Sequence, residues 1–437
     1  MSVQVSQALP AQALADGSTR RLYRDAASLA SSSMLTAVLG IAFWAVAAHT
    51  MPPSKLGVQT ALLSAFTAPA IVVASGVGDA FTSLLPAAIG TRLPIVRRGY
   101  RLALAMSALG GLVVAVTAMV VLPEVRGSIA AGAAVLIGTV IWALFTVQDS
   151  ALTSLGRAHW LPFENAGVSI AKIGLLPGLA AEAHGLPLLV ATLIPAVAAV
   201  AVIAPRVHAF ARSADAGTPH LPAGASALAV RQLNALTRRT TASVALTLGT
   251  LTLLPFVVTA VAGPAQGAVF ALCLSVTQSL DFVAAALGVS LVVHGSARRA
   301  EAAHMARIVL LRSVVIVGAG ALVLMLIAAP VLRAMNPAYI ALRGVEVITI
   351  LAAASLVRTV FVTWSALQRA RRAYRPILVL NSLGALTLYA ILPIFCSHWG
   401  AVGAASALAV AQGVLSLGAA VHTFAATRGR RNLMQGG

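Results

Sequence analysis

Residues Val147–Leu176 read VQDSALTSLGRAHWLPFENAGVSIAKIGLL, two apolar runs joined by a short connection that holds Arg157, His159, Trp160, Pro162 and Glu164. Each run is one end of a longer apolar segment that can span a membrane, since about 20 residues at 1.5 Å each cover the hydrocarbon of a bilayer. Gln148 and Asp149 nevertheless enter the first run, and Lys172 lies deep in the second. An ionisable group inside such a segment is costly, about 2.5–3.5 kcal/mol for a central Lys or Arg on insertion scales, so each of these residues needs a partner or a wet cavity.

The rest of the chain has the same character. Of 437 residues 59% are hydrophobic and 9% charged, with a mean hydropathy of +0.93. A water-soluble domain with that composition would expose large apolar patches. Ala, Val, Leu and Gly dominate and aromatic residues are few, which predicts helices packed through small residues rather than alternating barrel strands. Cys273 and Cys396 both lie in apolar segments and carry no redox information.

The length test places spans near 26–50, 57–86, 100–122, 129–155, 163–182 and 186–208, and again near 240–262, 266–294, 308–332, 344–367, 376–396 and 401–425. The expected fold is therefore an all-α polytopic membrane protein of about twelve helices. It divides into a tail 1–25, a six-helix lobe 26–209, a linker 210–239, a second six-helix lobe 240–425 and a tail 426–437. In the linker, Gly217, Pro219, Pro222 and Gly224 suit a flexible loop, while Leu228, Leu233 and Leu236 with Arg231, Arg238 and Arg239 suit either a surface-lying helix or a solvated loop.

Basic residues orient the chain. With both termini cytoplasmic, 24 of the thirty Lys and Arg fall on the cytoplasmic side, four (Lys55, Arg126, Arg333, Arg343) on the other, and two (Lys172, Arg358) remain inside spans. An odd number of spans would scramble this division. The net charge of +19 then reads as basic loops against anionic headgroups, with no nucleic acid required.

Adding 210 to positions in the second span carries Gly57, Ala61, Leu62, Thr67, Val73, Ala74 and Gly78 onto Gly267, Ala271, Leu272, Thr277, Val283, Ala284 and Gly288. Both copies are second helices of their lobes, entered from the same side, so the repeat is parallel, with its axis along the membrane normal. Substrates of proteins built this way commonly bind between the halves.

Lys172 and Arg358, one from each half, are the leading candidates for substrate contact. Lys172 is eight residues past Glu164, about 12 Å of helical rise, and Arg358 eleven before Arg369, about 16 Å, so both fall near mid-depth. Two cations there suit an anionic group such as a diphosphate; the alternative is a static ion pair with Asp281, the one acidic residue placed near mid-depth. Asp79, Asp149 and Glu164 fall nearer the cytoplasmic mouth, where each is a candidate for carrying a coupling proton or for structural pairing, Asp149 with Arg157. Gln148, Asn165, Gln278 and Asn381 suit interhelical hydrogen bonds or sugar recognition. The chain carries no HExxH, CxxC, Walker loop or DxD cluster, and its external connections are short, so no metal, cofactor or catalytic centre is expected.

Three stretches carry a resemblance: WAVAAHTMPPSKLGVQTALLSAFTAPAIVVASGVGDAF (44–81), QDSALTSLGRAHWLPFENAGVSIAKIGLL (148–176) and QRARRAYRPILVLN (368–381). Together they resemble the polysaccharide-flippase branch of the multidrug/oligosaccharidyl-lipid/polysaccharide exporter superfamily, in its actinobacterial form. The resemblance implies a two-lobed, twelve-helix transporter of the cytoplasmic membrane that passes a lipid-linked oligosaccharide between leaflets by alternating access. It also implies a polyprenyl-diphosphate-linked glycan as substrate, glycan-biosynthesis enzymes as partners, and cavity cations toward the diphosphate, a role open to Lys172 and Arg358. The same superfamily contains multidrug exporters. The major facilitator transporters share the parallel two-half design, but TRLPIVRRGYR (91–101) lacks the acidic residue and Gly spacing common between their second and third helices.

Overall fold

Two Pro-initiated helices, Pro53–Leu84 (α2) and Pro264–Ala297 (α9), lie at corresponding places in the two halves of the molecule and organise both. The computed structural model describes residues 38–181, 185–216, 224–297 and 301–435. The expected tail 1–25, the start of the first span, the linker residues Gly217, Pro219 and Pro222, and Arg298 and Arg299 lie outside the described residues.

The N-terminal half comprises α1 (Val38–Thr50), α2, α3 (Arg92–Val121), α4 (Ile129–Ser154), α5 (Leu161–Ala181) and α6 (Pro187–Asp215). A bent pair follows, α7 (Ala225–Thr252) and α8 (Leu254–Ala262), which meet at 45°. Then come α9, α10 (Ala302–Met335) and α11 (Gly344–Ala370), and the segment Tyr374–Gln435, which Gly400 breaks (φ 57°, ψ −134°) into α12 and α13. Counting the bent pair as one span gives twelve segments, and among the described residues there is no strand. This is an all-α multi-pass membrane protein.

Its helices are turned inside out relative to those of a soluble protein. In α3, Ala103, Ser107, Gly111, Ala115 and Ala118 are buried, while Leu109, Val113 and Val120 are exposed on the opposite face. In α10, Ala306, Ser313, Ala321 and Ala328 are buried and Leu311, Val315 and Leu326 are exposed. Lipid chains solvate the large residues, so helices associate through small ones that let backbones approach.

Two glycines show how closely. A Cβ on Gly57 would lie 1.7 Å from the Pro264 carbonyl oxygen, and one on Gly76 would lie 2.0 Å from Thr241 Oγ1. The internal repeat has a packing basis here. Gly57 and its counterpart Gly267 open α2 and α9, and a Cβ on Gly267 would meet Thr259 Oγ1 at 1.9 Å. Thr259 itself donates to Pro255 O (2.8 Å) and reaches Gly57 O (3.4 Å).

The core is joined at one end and divided at the other. Around the α1–α2, α3–α4, α8–α9 and α10–α11 connections, Met51, Leu56, Leu122 and Phe66 pack in one cluster with Leu254, Phe270, Leu332 and Tyr339. At the other end Val77, Phe81, Ile95, Val147, Leu152 and Val207 form a separate cluster of the N-terminal half, and Leu291, Ala302, Ala306 and Leu367 form another in the C-terminal half.

Helices enter the expected linker 210–239 from both sides. α6 continues to Asp215, whose carboxylate accepts from the backbone N–H groups of Arg92 (3.2 Å) and Leu93 (2.9 Å) at the start of α3. The positive end of the α3 dipole stabilises that charge. α7 begins at Ala225 and runs unbroken through the expected boundary. Of the two expectations for this stretch, a helix is what forms; Leu233 and Thr237 are buried, Leu233 within the cluster of the N-terminal half. Arg98 Nε donates to Asn234 Oδ1 (3.1 Å), and Thr240 Oγ1 donates to Gly76 O (3.0 Å). The stretch is thus continuous with the helix that bends at Leu253.

Candidate functional site

The bend between α7 and α8 sits beside the space between the lobes. A π-helical turn, Ala245–Gly249, and Pro255 interrupt the regular i→i−4 ladder here, and such a break frees backbone carbonyls that hydrocarbon cannot satisfy. Each half supplies a hydroxyl in compensation. Tyr389 Oη of α12 donates to Thr250 O (2.9 Å), and Ser64 Oγ of α2 donates to Thr252 O.

Against this bend lies a cavity of about 340 Å³. Phe43 and Trp44 of α1, Trp142 of α4 and Lys172 of α5 face it from one half, and Ser275 and Gln278 of α9 from the other. Thr60, Ser64 and Thr67 of α2 and Thr192 of α6 add hydroxyls. The Lys172 ammonium stands 4.6 Å above the Phe43 ring. The ring face offers a cation electrostatic stabilisation without neutralising it. Among the described residues no carboxylate is within ion-pair distance of Lys172.

A second cavity, of about 720 Å³, lies on the other face of α1. Ile41, Val46, His49 and Thr50 line it on the α1 side, with Leu324, Ile327, Val331 and Met335 of α10 opposite. Its wall is almost wholly aliphatic. α1 and α9 partition the two spaces, contributing Phe43, Trp44, Ser275 and Gln278 to the polar one and Ile41, Val46 and Val276 to the apolar one.

Arg358 lies elsewhere. It lines a pocket of about 70 Å³ within the C-terminal half, with Asn381 and Gln412, and its Nη1 is 2.8 Å from Asp281 Oδ2 of α9. The ion-pair alternative is the arrangement that this cation adopts, and the two intramembrane cations do not share a cavity.

Asp149 and Glu164 are brought together at the α4–α5 end of the N-terminal half. Gln148 is fully buried and its Nε2 donates to Glu164 Oε1. The Asn165 amide faces Asp149, and Glu164 is near enough for the two carboxylates to feel each other's charge. Arg157, the partner considered for Asp149, instead places its guanidinium 4.7 Å from the centre of the Phe210 ring. Asp79 is exposed at the same end of α2. Sequence reasoning missed Phe43 and Trp142, because aromatic residues in spans are ordinarily core or interfacial and only the packing shows what they face. Among the described residues no three His, Cys, Asp or Glu side chains are grouped as a metal site would need.

The fold is shared with known transporters. A solved structure described as "Lipid II flippase MurJ, inward closed conformation" superimposes with a TM-score of 0.72 at 13% identity, over 90% of this chain and 86% of that one. An inward-facing multidrug resistance MATE family transporter of the MOP superfamily gives a TM-score of 0.66 at 16% identity, over 90% of this chain and 96% of the other. An outward-facing MATE family transporter gives 0.58 at 16% identity, over 93% and 96%. No protein-family model matches the chain, and no curated protein matches it.

Proposed function

We propose that this protein is a flippase that carries a lipid-linked oligosaccharide, or a related cell-envelope glycolipid, across the cytoplasmic membrane by alternating access. The observation that carries the reading is the pairing of unlike cavities on either side of α1. One holds the Lys172 ammonium among hydroxyl and amide groups; the other is aliphatic and about twice as large. A headgroup with a diphosphate and sugars fits the first, and an isoprenoid chain fits the second. A cation in a low-dielectric cavity, unneutralised by a carboxylate, attracts an anion far more strongly than it would in water.

With both termini cytoplasmic, the orientation that the distribution of Arg favours, the joined end of the core faces outward and the divided end inward. Opening then requires the close contact of Gly57 with Pro264 to part. Glycan-biosynthesis enzymes on the cytoplasmic side would supply the substrate, and the chain itself carries out no covalent chemistry.

The multidrug-exporter reading draws on one observation, the aromatic wall of Phe43, Trp44 and Trp142, which suits flat cationic molecules. Lys172 in the same wall repels them. A deletion strain separates the two readings. A flippase leaves lipid-linked sugar accumulated on the inner leaflet, whereas an exporter leaves envelope precursors unchanged and lowers only the tolerated drug concentration.

A further inference from the structure

Six hydroxyls line the cavity that contains Lys172, and each of them gives its proton to a backbone carbonyl. Thr60, Thr67, Thr192, Thr252 and Ser275 donate to carbonyls three or four residues back, at 2.7–2.9 Å. Ser64 donates to Thr252 O across the α7–α8 bend. Ser and Thr side chains on helices commonly bond to the preceding turn in this way. The consequence for the cavity lies in its polarity. A hydroxyl oxygen whose proton is committed still carries lone pairs, so it accepts a hydrogen bond and cannot give one.

Among the described residues, the side chains on this wall with N–H groups to offer are Lys172, Gln278, Trp44 and Trp142. One cation and a few N–H donors are thus set among a larger number of acceptors. An ionised diphosphate consists of acceptors, so it satisfies Lys172 and leaves the hydroxyl oxygens bare. Water can supply O–H groups to them, but a headgroup that displaces water without replacing its bonds loses affinity. A ligand that answers the whole wall carries negative charge and, beside it, several O–H groups.

Trp142 narrows the choice further. Its ring lies 6.4 Å from that of Phe66 and 5.3 Å from that of Phe145, both buried, so the indole is braced from behind while it remains half-buried at the cavity. A pyranose has an apolar C–H face and a rim of hydroxyls. The face packs on an indole, and the rim donates to Thr67 of α2 and Ser275 of α9, the two half-buried hydroxyl residues that belong one to each half. A flat aromatic cation could lie on the same indole, but it has no O–H rim and it meets Lys172.

We infer that this cavity reads the hydroxyls of the sugar nearest the diphosphate, with Thr67, Ser275 and Gln278 as specificity-determining residues and Trp142 as the platform under the ring. The inference rests on the flippase reading and adds a selection rule to it. A lipid diphosphate with no sugar, or with its sugar hydroxyls blocked, is a poor ligand although its charge and tail are unchanged.

Binding to the full-length purified chain in lipid nanodiscs tests it with three probes that share one polyprenyl chain: the diphosphate carrying a single glucose, the same compound with every hydroxyl O-methylated, and the bare diphosphate. Wild type is expected to bind the glucose compound about tenfold or more tighter than either of the others. Thr67→Val, Ser275→Ala and Gln278→Leu should each cut that ratio by about threefold or more, Trp142→Ala should weaken both sugar compounds together, and Lys172→Gln should weaken all three probes. Equal binding of the three by wild type, or a preference for the bare diphosphate, overturns the inference and leaves the flippase reading standing, since a lipid diphosphate is still held. Binding of none of them defeats both. A wild-type preference that persists in full through Thr67→Val, Ser275→Ala and Gln278→Leu also overturns it, because the selection then lies with other residues. The wild-type comparison decides even if a variant fails to fold.

Discussion

Arg358 and Asp281 form an ion pair between α11 and α9, Nη1 to Oδ2 at 2.8 Å, with about a quarter and a fifth of their side chains accessible. Removing one partner of such a pair leaves a charge stranded in a poorly solvated place. Arg358→Gln is expected to cost about 3–5 kcal/mol of stability, and Asp281→Asn a comparable amount. The double variant should recover most of the loss, as seen by thermal unfolding in detergent. If Arg358→Gln keeps its unfolding temperature while glycolipid transfer disappears, the residue serves the substrate rather than the lobe.

Lys172 makes the opposite prediction. Its ammonium sits over Phe43, and among the described residues no carboxylate pairs with it, so Lys172→Gln removes a charge that no described partner balances. Stability and membrane yield should hold or rise, while transfer of lipid-linked sugar to the outer leaflet falls at least tenfold. Lys172→Arg should retain part of the activity. Wild-type transfer by Lys172→Gln would remove the cation from the mechanism.

The bend between α7 and α8 offers a test of backbone satisfaction. Tyr389→Phe leaves Thr250 O without its donor, and Ser64→Ala does the same to Thr252 O. Each is expected to lower stability by about 1–3 kcal/mol. Because one donor belongs to each half, the double variant should loosen the bend from both sides. Increased protease cutting or cysteine labelling near Leu253 would report it.

Gly57→Ala should be among the most damaging single-methyl additions in the chain. The new Cβ would fall 1.7 Å from Pro264 O, backbone against backbone, where no rotamer change can relieve it. The expected effect is a loss of about 1–3 kcal/mol by overpacking, or a shift of the population toward the conformation in which these helices have separated. Spin labels flanking the α1–α2 and α8–α9 connections would show the second outcome as a longer distance. Gly167→Ala on α5 is the control, since no atom lies within 4 Å of its added methyl.

The sequence by itself determined the membrane class, the division into two six-helix halves and the parallel repeat. Each rests on quantities summed along the chain, namely span length, apolar content and spacing, and none depends on which side chains meet. It also singled out Lys172, Arg358, Asp149 and Glu164, because a charged residue inside an apolar span is conspicuous whatever surrounds it. What each charge faces was decided only by the tertiary structure. Lys172 and Arg358 look alike in sequence, yet one lies over an aromatic ring in the space between lobes and the other is neutralised by a carboxylate on a neighbouring helix. A helix presents neighbours every 100° around its axis, so a rotation or tilt that leaves hydropathy unchanged is enough to exchange a cavity for a partner. The helix over residues 225–239 stays open in the sequence for a related reason: its composition suits a surface helix or a loop, and only the packing of Leu233 into the cluster of the first half ties it to that half.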